Sequence, residues 1–239
     1  MGRTDESNIA KLQNKIIKCK KCPRLAKYIA GIKEKYPSYW CKPVPSFGDA
    51  NAQILIIGLA PGRFGSNRTG RMFTGDSSGD FMYKILYEIG LCDNPLRKGL
   101  PWQVPTNAND GLRLKNCYIT AMARCAPPQN KPAPQELSNC FNYFEEEIKL
   151  FKNVKVVIAL GKIAFDGYLK FVRADLCVCP IKKKDFKFFH GATYRSKNLP
   201  HVLIASYHPS RQNTNTGRLT PKMFKDIFKN AIEYCNEIH

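Results

Sequence analysis

Acidic residues are scarce: 19 Asp and Glu stand against 38 Lys and Arg in 239 residues, a formal charge of +19. An excess of that size fits a polyanionic partner, because each cation laid on a phosphate releases condensed counterions. Solubility or an acidic protein partner are the blander uses of the same charge; nucleic acid is the partner expected. Long apolar runs are missing, and no basic amphipathic segment closes the chain, so no membrane partner is expected. The opening stretch, MGRTDESNIAKLQNK, lacks the apolar core of a secretory signal, which makes a cytoplasmic location the expectation. Repeats, low-complexity blocks and a dividing linker are also absent. With 44% hydrophobic residues the composition is not that of a disordered chain, and one domain over residues 1–239 is expected.

Cysteine, by contrast, is plentiful. Ten in a reducing compartment suggest metal ligation before disulfides. Short apolar runs at 53–58, 117–122, 154–160 and 201–205 read as buried strands. Helical patterns at 80–90, 134–150, 162–171 and 220–237 alternate with them, and another covers 7–17. Residues 36–49 read as a surface loop, and 172–200 as irregular, with room for a hairpin. The alternation predicts an α/β fold of three layers, a central parallel sheet of about four strands flanked by helices. Ligands of such sheets sit beyond the carboxyl ends of the strands, so the loops after Gly58, Met122 and Ala205 should meet at one crevice.

The first loop, Gly58 to Gly79, packs six glycines, three arginines and the single acid Asp76 between a strand and a helix. Glycines let backbone N–H groups approach a ligand, and the arginines suit phosphates. No Walker-type Gly-Lys-Ser/Thr is present, which argues against a nucleotidase, and no GxGxxG follows the first strand, which argues against a dinucleotide-dependent redox protein. The third loop, Ser206 to Thr220, opens with His208-Pro209-Ser210 and continues basic and polar. A histidine at that end of a sheet is a candidate anion stabiliser.

These two loops, GLAPG…NRTGRMFTGD and HPSRQNTNTGRLT, resemble the two signature motifs of the uracil-DNA glycosylase superfamily, and in their long forms family 5, the UDGb type. The likeness runs from the Cys19 pair to the final helix. It implies hydrolysis of the N-glycosidic bond of uracil in DNA during base excision repair, with a substrate-binding set of Gly58, Ala60, Pro61, Gly62, Phe73, Ala121, Ser210 and Arg211. Phe73 is the implied stacking partner of a flipped base. His208 is the implied donor to uracil O2, and Arg211 the residue entering the vacated stack or gripping a phosphate. Many superfamily members carry a polar or acidic residue where Leu59 stands. By resemblance Asp76 takes over, positioning water or stabilising the cationic sugar; as a plain structural residue it would cap the following helix. In the related iron–sulfur family an Asn reads uracil's edge where this chain has Ala121, which implies a wider range of bases, hypoxanthine included. A non-catalytic single-strand or damage-binding protein on the same fold is the alternative.

The cysteine frame is Cys19-x2-Cys22, then Cys125, then Cys140. A Cys-x2-Cys pair alone does not choose its metal, since tetrahedral zinc also accepts four thiolates. The resemblance implies a [4Fe–4S] cluster on these four, tying an arm of residues 1–50 to the loop after the second strand. Cys41, Cys92, Cys117 and Cys235 read as buried free thiols; Cys177 and Cys179 have no reading. Base preference, strandedness, oligomeric state and a partner such as a sliding clamp are not legible in the sequence. No lysine stands out as a nucleophile, so hydrolysis without strand cleavage is expected.

Overall fold

The computed structural model of the chain describes residues 2–93, 103–175, 183–197 and 199–237. Eight short strands follow in order: β1 (Phe47–Gly48), β2 (Ile54–Gly58), β3 (Cys92–Asp93), β4 (Arg113–Leu114), β5 (Cys117–Ala121), β6 (Val156–Leu160), β7 (Thr193–Tyr194) and β8 (Val202–Ser206). Six form one sheet in the order β1-β5-β2-β6-β8-β7. Its four central strands are parallel, with Ile54 beside Cys117 and Val156, and Val156 beside Val202. The expected four parallel strands are there. The added feature is a short antiparallel strand at each edge, β1 on β5 and β7 on β8. Residues 36–49 are therefore not loop throughout, and within 172–200 the described residues hold one short strand, β7, which pairs with the expected strand β8 beyond that span.

Each central strand is five residues long and buried throughout, as expected where helices cover both faces. Side chains alternate between those faces. Ile54, Ile56, Ile119, Ile158 and Ile204 join one core with helices α4 (Ser77–Glu88) and α8 (Pro221–Glu237). Leu55, Ile57, Val157 and Leu203 join the other with α5 (Pro134–Leu150) and α6 (Lys162–Asp175). The N-terminal helix α1 (Gly2–Ile17) packs on α5.

Four helices depart from the sequence reading. Helix α2 (Pro23–Lys35) is an unforeseen element, although Pro at its start and the buried spacing Leu25, Ile29, Ile32 are helix signals. Short turns of helix, α3 (Ser66–Thr69) and α7 (Arg211–Asn215), interrupt the two long loops. Helix α4 starts three residues before the expected Asp80, because Asp76 caps it: its Oδ1 accepts from the N–H groups of Ser78 (3.0 Å) and Gly79 (3.2 Å).

Candidate active site

The loops after β2, β5 and β8 meet at the carboxyl end of the sheet around a cavity of about 490 Å³, within the roughly 300–1,000 Å³ usual for small-ligand sites. Gly58, Ala60, Gly62, Phe73, Asp76, Ala121, His208 and Ser210 all line it. Two residues expected there are elsewhere. Pro61 is buried off the cavity wall, and Arg211 is exposed at the start of α7.

Phe73 takes a left-handed backbone, φ 51°, which costs a non-glycine residue strain that its surroundings must overcome. They do so at several points. Tyr83 Oη donates to the carbonyl of Met72 at 2.7 Å. Buried Arg71 holds Asp110 through two 2.8 Å bonds and reaches Thr74 Oγ1 at 2.9 Å. Glycine makes room on either side. A Cβ on Gly79 would stand 1.7 Å from the Phe73 carbonyl oxygen, and one on Gly58 would stand 3.2 Å from its ring. The ring itself lies 5.7 Å from that of His208, with the planes at 29°.

His208 sits in a locked turn. Its carbonyl accepts from Ser210 N and from Asn213 Nδ2, both at 2.8 Å, while Ser210 caps α7. Burial takes the imidazole pKa down to about 4, against a smaller upward pull from Asp76, so the ring is neutral at pH 7. Asp76 divides its two oxygens. Oδ1 caps α4. Oδ2 lies against Gly62 and Gly65, where an added Cβ would come within 2.8 Å and 1.9 Å of it. The helix cap and the cavity-lining carboxylate are the same group.

The arginines of the first loop do not serve as three free phosphate ligands. Arg71 is consumed by Asp110, and Arg68 ties the carbonyls of Phe64 (2.7 Å) and Gly75 (2.8 Å). In exchange the cavity includes polar groups that sequence reading passed over, Gln129, Asn130 and Lys131. Gln129 and Asn130 both have positive φ, 54° and 56°, and sit between Pro128 and the α5 helix. Their signal was the polar run after β5, the second of the three loops expected at the crevice.

Cys19, Cys22, Cys125 and Cys140 line one separate cavity beside Lys20, Lys21 and Arg124. The Cys125 thiol is pushed up to about 12 by burial first, and then by Cys140, Cys19 and Cys22. Four sulfurs lining one cavity from the α1–α2 junction, the β5 loop and α5, with Lys20 and Lys21 beside them, fit an iron–sulfur group held by four thiolates. Among the described residues no three His, Cys, Asp or Glu side chains are gathered as the ligands of one ion. Cys41, Cys92, Cys117 and Cys235 are buried free thiols, as expected; Cys177 and Cys179 fall outside the described residues.

A model of the uracil DNA glycosylase superfamily matches residues 45–231. The chain belongs to that superfamily. Among its relatives, the Type-5 uracil-DNA glycosylase of Thermus thermophilus is 46% identical over 218 residues, covering 89% of this chain and 92% of that one. The Type-5 uracil-DNA glycosylase of Pyrobaculum aerophilum is 36% identical over 91% of this chain and 89% of its own length. A Type-4 uracil-DNA glycosylase from Archaeoglobus fulgidus is 27% identical over 70% of each chain. The family-5 likeness seen in the two motifs therefore extends through the superfamily domain. No helix among the described residues is long and apolar enough to cross a membrane.

Proposed function

We propose that the cavity receives a base flipped out of DNA and that the chain hydrolyses its bond to the sugar, as a monofunctional uracil-DNA glycosylase. The observation that carries this reading is the meeting of Phe73, His208 and Asp76 at one cavity at the carboxyl end of the sheet. Phe73 stacks on the base. Neutral His208 donates a hydrogen bond to uracil O2, where negative charge gathers as the C1′–N1 bond breaks. The Asp76 carboxylate stabilises the positive sugar and holds the attacking water, whose oxygen bonds C1′ while its proton passes by way of the carboxylate to solvent. Uracil leaves as the anion and an intact abasic strand remains. Arg211, exposed at the start of α7 and off the cavity wall, enters the vacated stack or grips a phosphate near it.

Ala121 leaves the cavity wall apolar where an amide would read the base. Gln129 and Asn130 offer amides from another side, and the site takes hypoxanthine as well as uracil. Cys19, Cys22, Cys125 and Cys140 hold a [4Fe–4S] cluster. When bound it supplies four iron–thiolate links, a cross-bridge between the N-terminal helices and the β5 loop. Tetrahedral zinc, with bonds of about 2.3 Å, would instead gather the four sulfurs around one point.

The test is excision from labelled oligonucleotides holding one uracil or one hypoxanthine, with EDTA present and alkali used to reveal abasic sites. Strand breaks only after alkali are expected, from both bases. No abasic product from protein that still binds these oligonucleotides would overturn the reading in favour of a damage-binding protein.

A further inference from the structure

Next to the cavity the chain exposes a second group of rings that base excision leaves unused. Arg63 and Phe64 directly follow the cavity residue Gly62. Phe64 is 49% exposed and Tyr36, at the end of α2, 38%. The two rings meet edge to face, with centroids 6.1 Å apart at 89°, and Tyr36 stacks on Tyr39 at 4.7 Å and 15°. The Arg63 guanidinium lies 4.7 Å over Phe64 and 6.0 Å from Tyr28, and its buried Nε has no hydrogen-bond partner among the described residues.

The group is held rigidly. Arg68 fixes the Phe64 carbonyl at 2.7 Å, and Lys33 donates to the Tyr39 carbonyl at 2.5 Å. The α3 turn accepts from the N–H groups of Trp40 and Cys41 through the carbonyls of Arg68 (2.9 Å) and Asn67 (3.0 Å). Single exposed aromatics are ordinary. Adjoining rings with a cation among them, beside a base-binding cavity in a chain of charge +19, form the stacking-and-charge pattern that receives unpaired bases.

We propose that Phe64, braced edge to face by Tyr36 and with Arg63 beside them, forms a platform on which a base neighbouring the excised nucleotide stacks against one ring face, out of its own duplex pairing. The proposal rests on the cavity being the base pocket. Phe64 is two residues from Gly62, at most about 7 Å along the chain, so the platform adjoins the cavity and the stacked base is a near neighbour of the excised one. An enzyme built this way opens DNA on one side of the lesion, and it favours uracil in locally single-stranded DNA.

The decisive measurement uses the full protein and oligonucleotides carrying a tetrahydrofuran abasic analogue, with 2-aminopurine one, two or three positions to either side. Stacking on a ring quenches 2-aminopurine. Quenching at one register on one side is expected. It should disappear in Tyr36→Ala/Phe64→Ala, with affinity falling about 5- to 100-fold, and persist in Tyr36→Phe. Phe64→Leu, which keeps apolar bulk without a π face, should show a loss in the same direction and serves if the double variant does not fold. Quenching at no register, or quenching and affinity within twofold of wild type in Tyr36→Ala/Phe64→Ala and Phe64→Leu, would sink the platform. Abasic-site formation on uracil DNA is followed in parallel. Quenching without excision leaves the platform and removes the glycosylase; excision without quenching does the reverse.

Discussion

At the scale of single residues, Asp76 and His208 make separable claims. Asn caps a helix about as well as Asp, so Asp76→Asn should unfold within about 0.5 kcal/mol of wild type while excision falls at least about 100-fold. Asp76→Ala should lose the activity and, in addition, about 1 kcal/mol of stability. Urea denaturation and single-turnover excision measure the two losses separately. His208 makes a prediction about pH. The free imidazole titrates at 6.5 and the folded one at about 4, so the unfolded chain takes up a proton that the folded chain refuses. Stability is undiminished above pH 6.5 and falls as pH drops through the window toward 4. His201, also held down to about 4 by burial, adds to the same slope. Melting temperature against pH reads this. Excision should show no step near pH 6.5, because the neutral donor persists down to about 4.

At the scale of elements, two buried ion pairs fasten the loops to the sheet. Arg124 reaches Glu147 at 2.5 Å and Thr120 at 2.7 Å, and it also touches Ser46. Glu147 takes a further bond from Gln13 at 2.8 Å. The pair thus joins α1, the start of β1, β5 and α5. Glu147→Gln strands a buried guanidinium and should cost about 3–5 kcal/mol in urea denaturation; a loss below about 1 kcal/mol would refute the role. Cys19→Ser should lower bound iron per chain and speed proteolysis of α1 and α2, with the sheet resisting longer. The four central strands and most of the helices were legible from short apolar runs and helical periodicity, and Pro134–Leu150 matches to the residue; the four two-residue strands were not. What sequence reading overlooked was set by tertiary contact. Helix α4 begins early because a cap at Asp76 outweighs the weak propensity of Ser77-Ser78-Gly79. Helix α2 exists because its apolar stripe has a core to enter. The partner that removes Arg71 from phosphate duty, Asp110, is 39 positions away.

At the scale of the molecule, charge should govern encounter with DNA. Log affinity should fall linearly with log salt, by about 0.9 per phosphate contacted. Contact with two or more phosphates predicts at least about a tenfold weakening between about 50 and 200 mM salt. A flat salt response in fluorescence anisotropy would mean that the positive charge serves some other purpose. The site as a whole was legible in outline, because strand polarity alone sends three loops to one end of the sheet. Eight of the ten residues named as candidate catalytic or substrate-binding ones, nine from the two motifs and Ala121 from the second expected strand, line the cavity. The contribution of Gln129 and Asn130 was legible only as a loop expected at the crevice: which of its residues reach the cavity depends on two consecutive left-handed residues, a conformation no local pattern required.

The divided duty of Asp76 has a consequence for descent. Because one carboxylate starts α4 and faces the cavity, most changes at this position injure the fold and the chemistry together, and selection removes them as a single defect. Asn is an exception, as Ser is, keeping the helix start without the negative charge. Under the proposed mechanism, a lineage that crosses to Asn inherits an intact cavity, an intact ring at Phe73 and a protein that holds flipped bases without releasing them. The narrowest path from this enzyme to a sensor of damaged DNA is one substitution long.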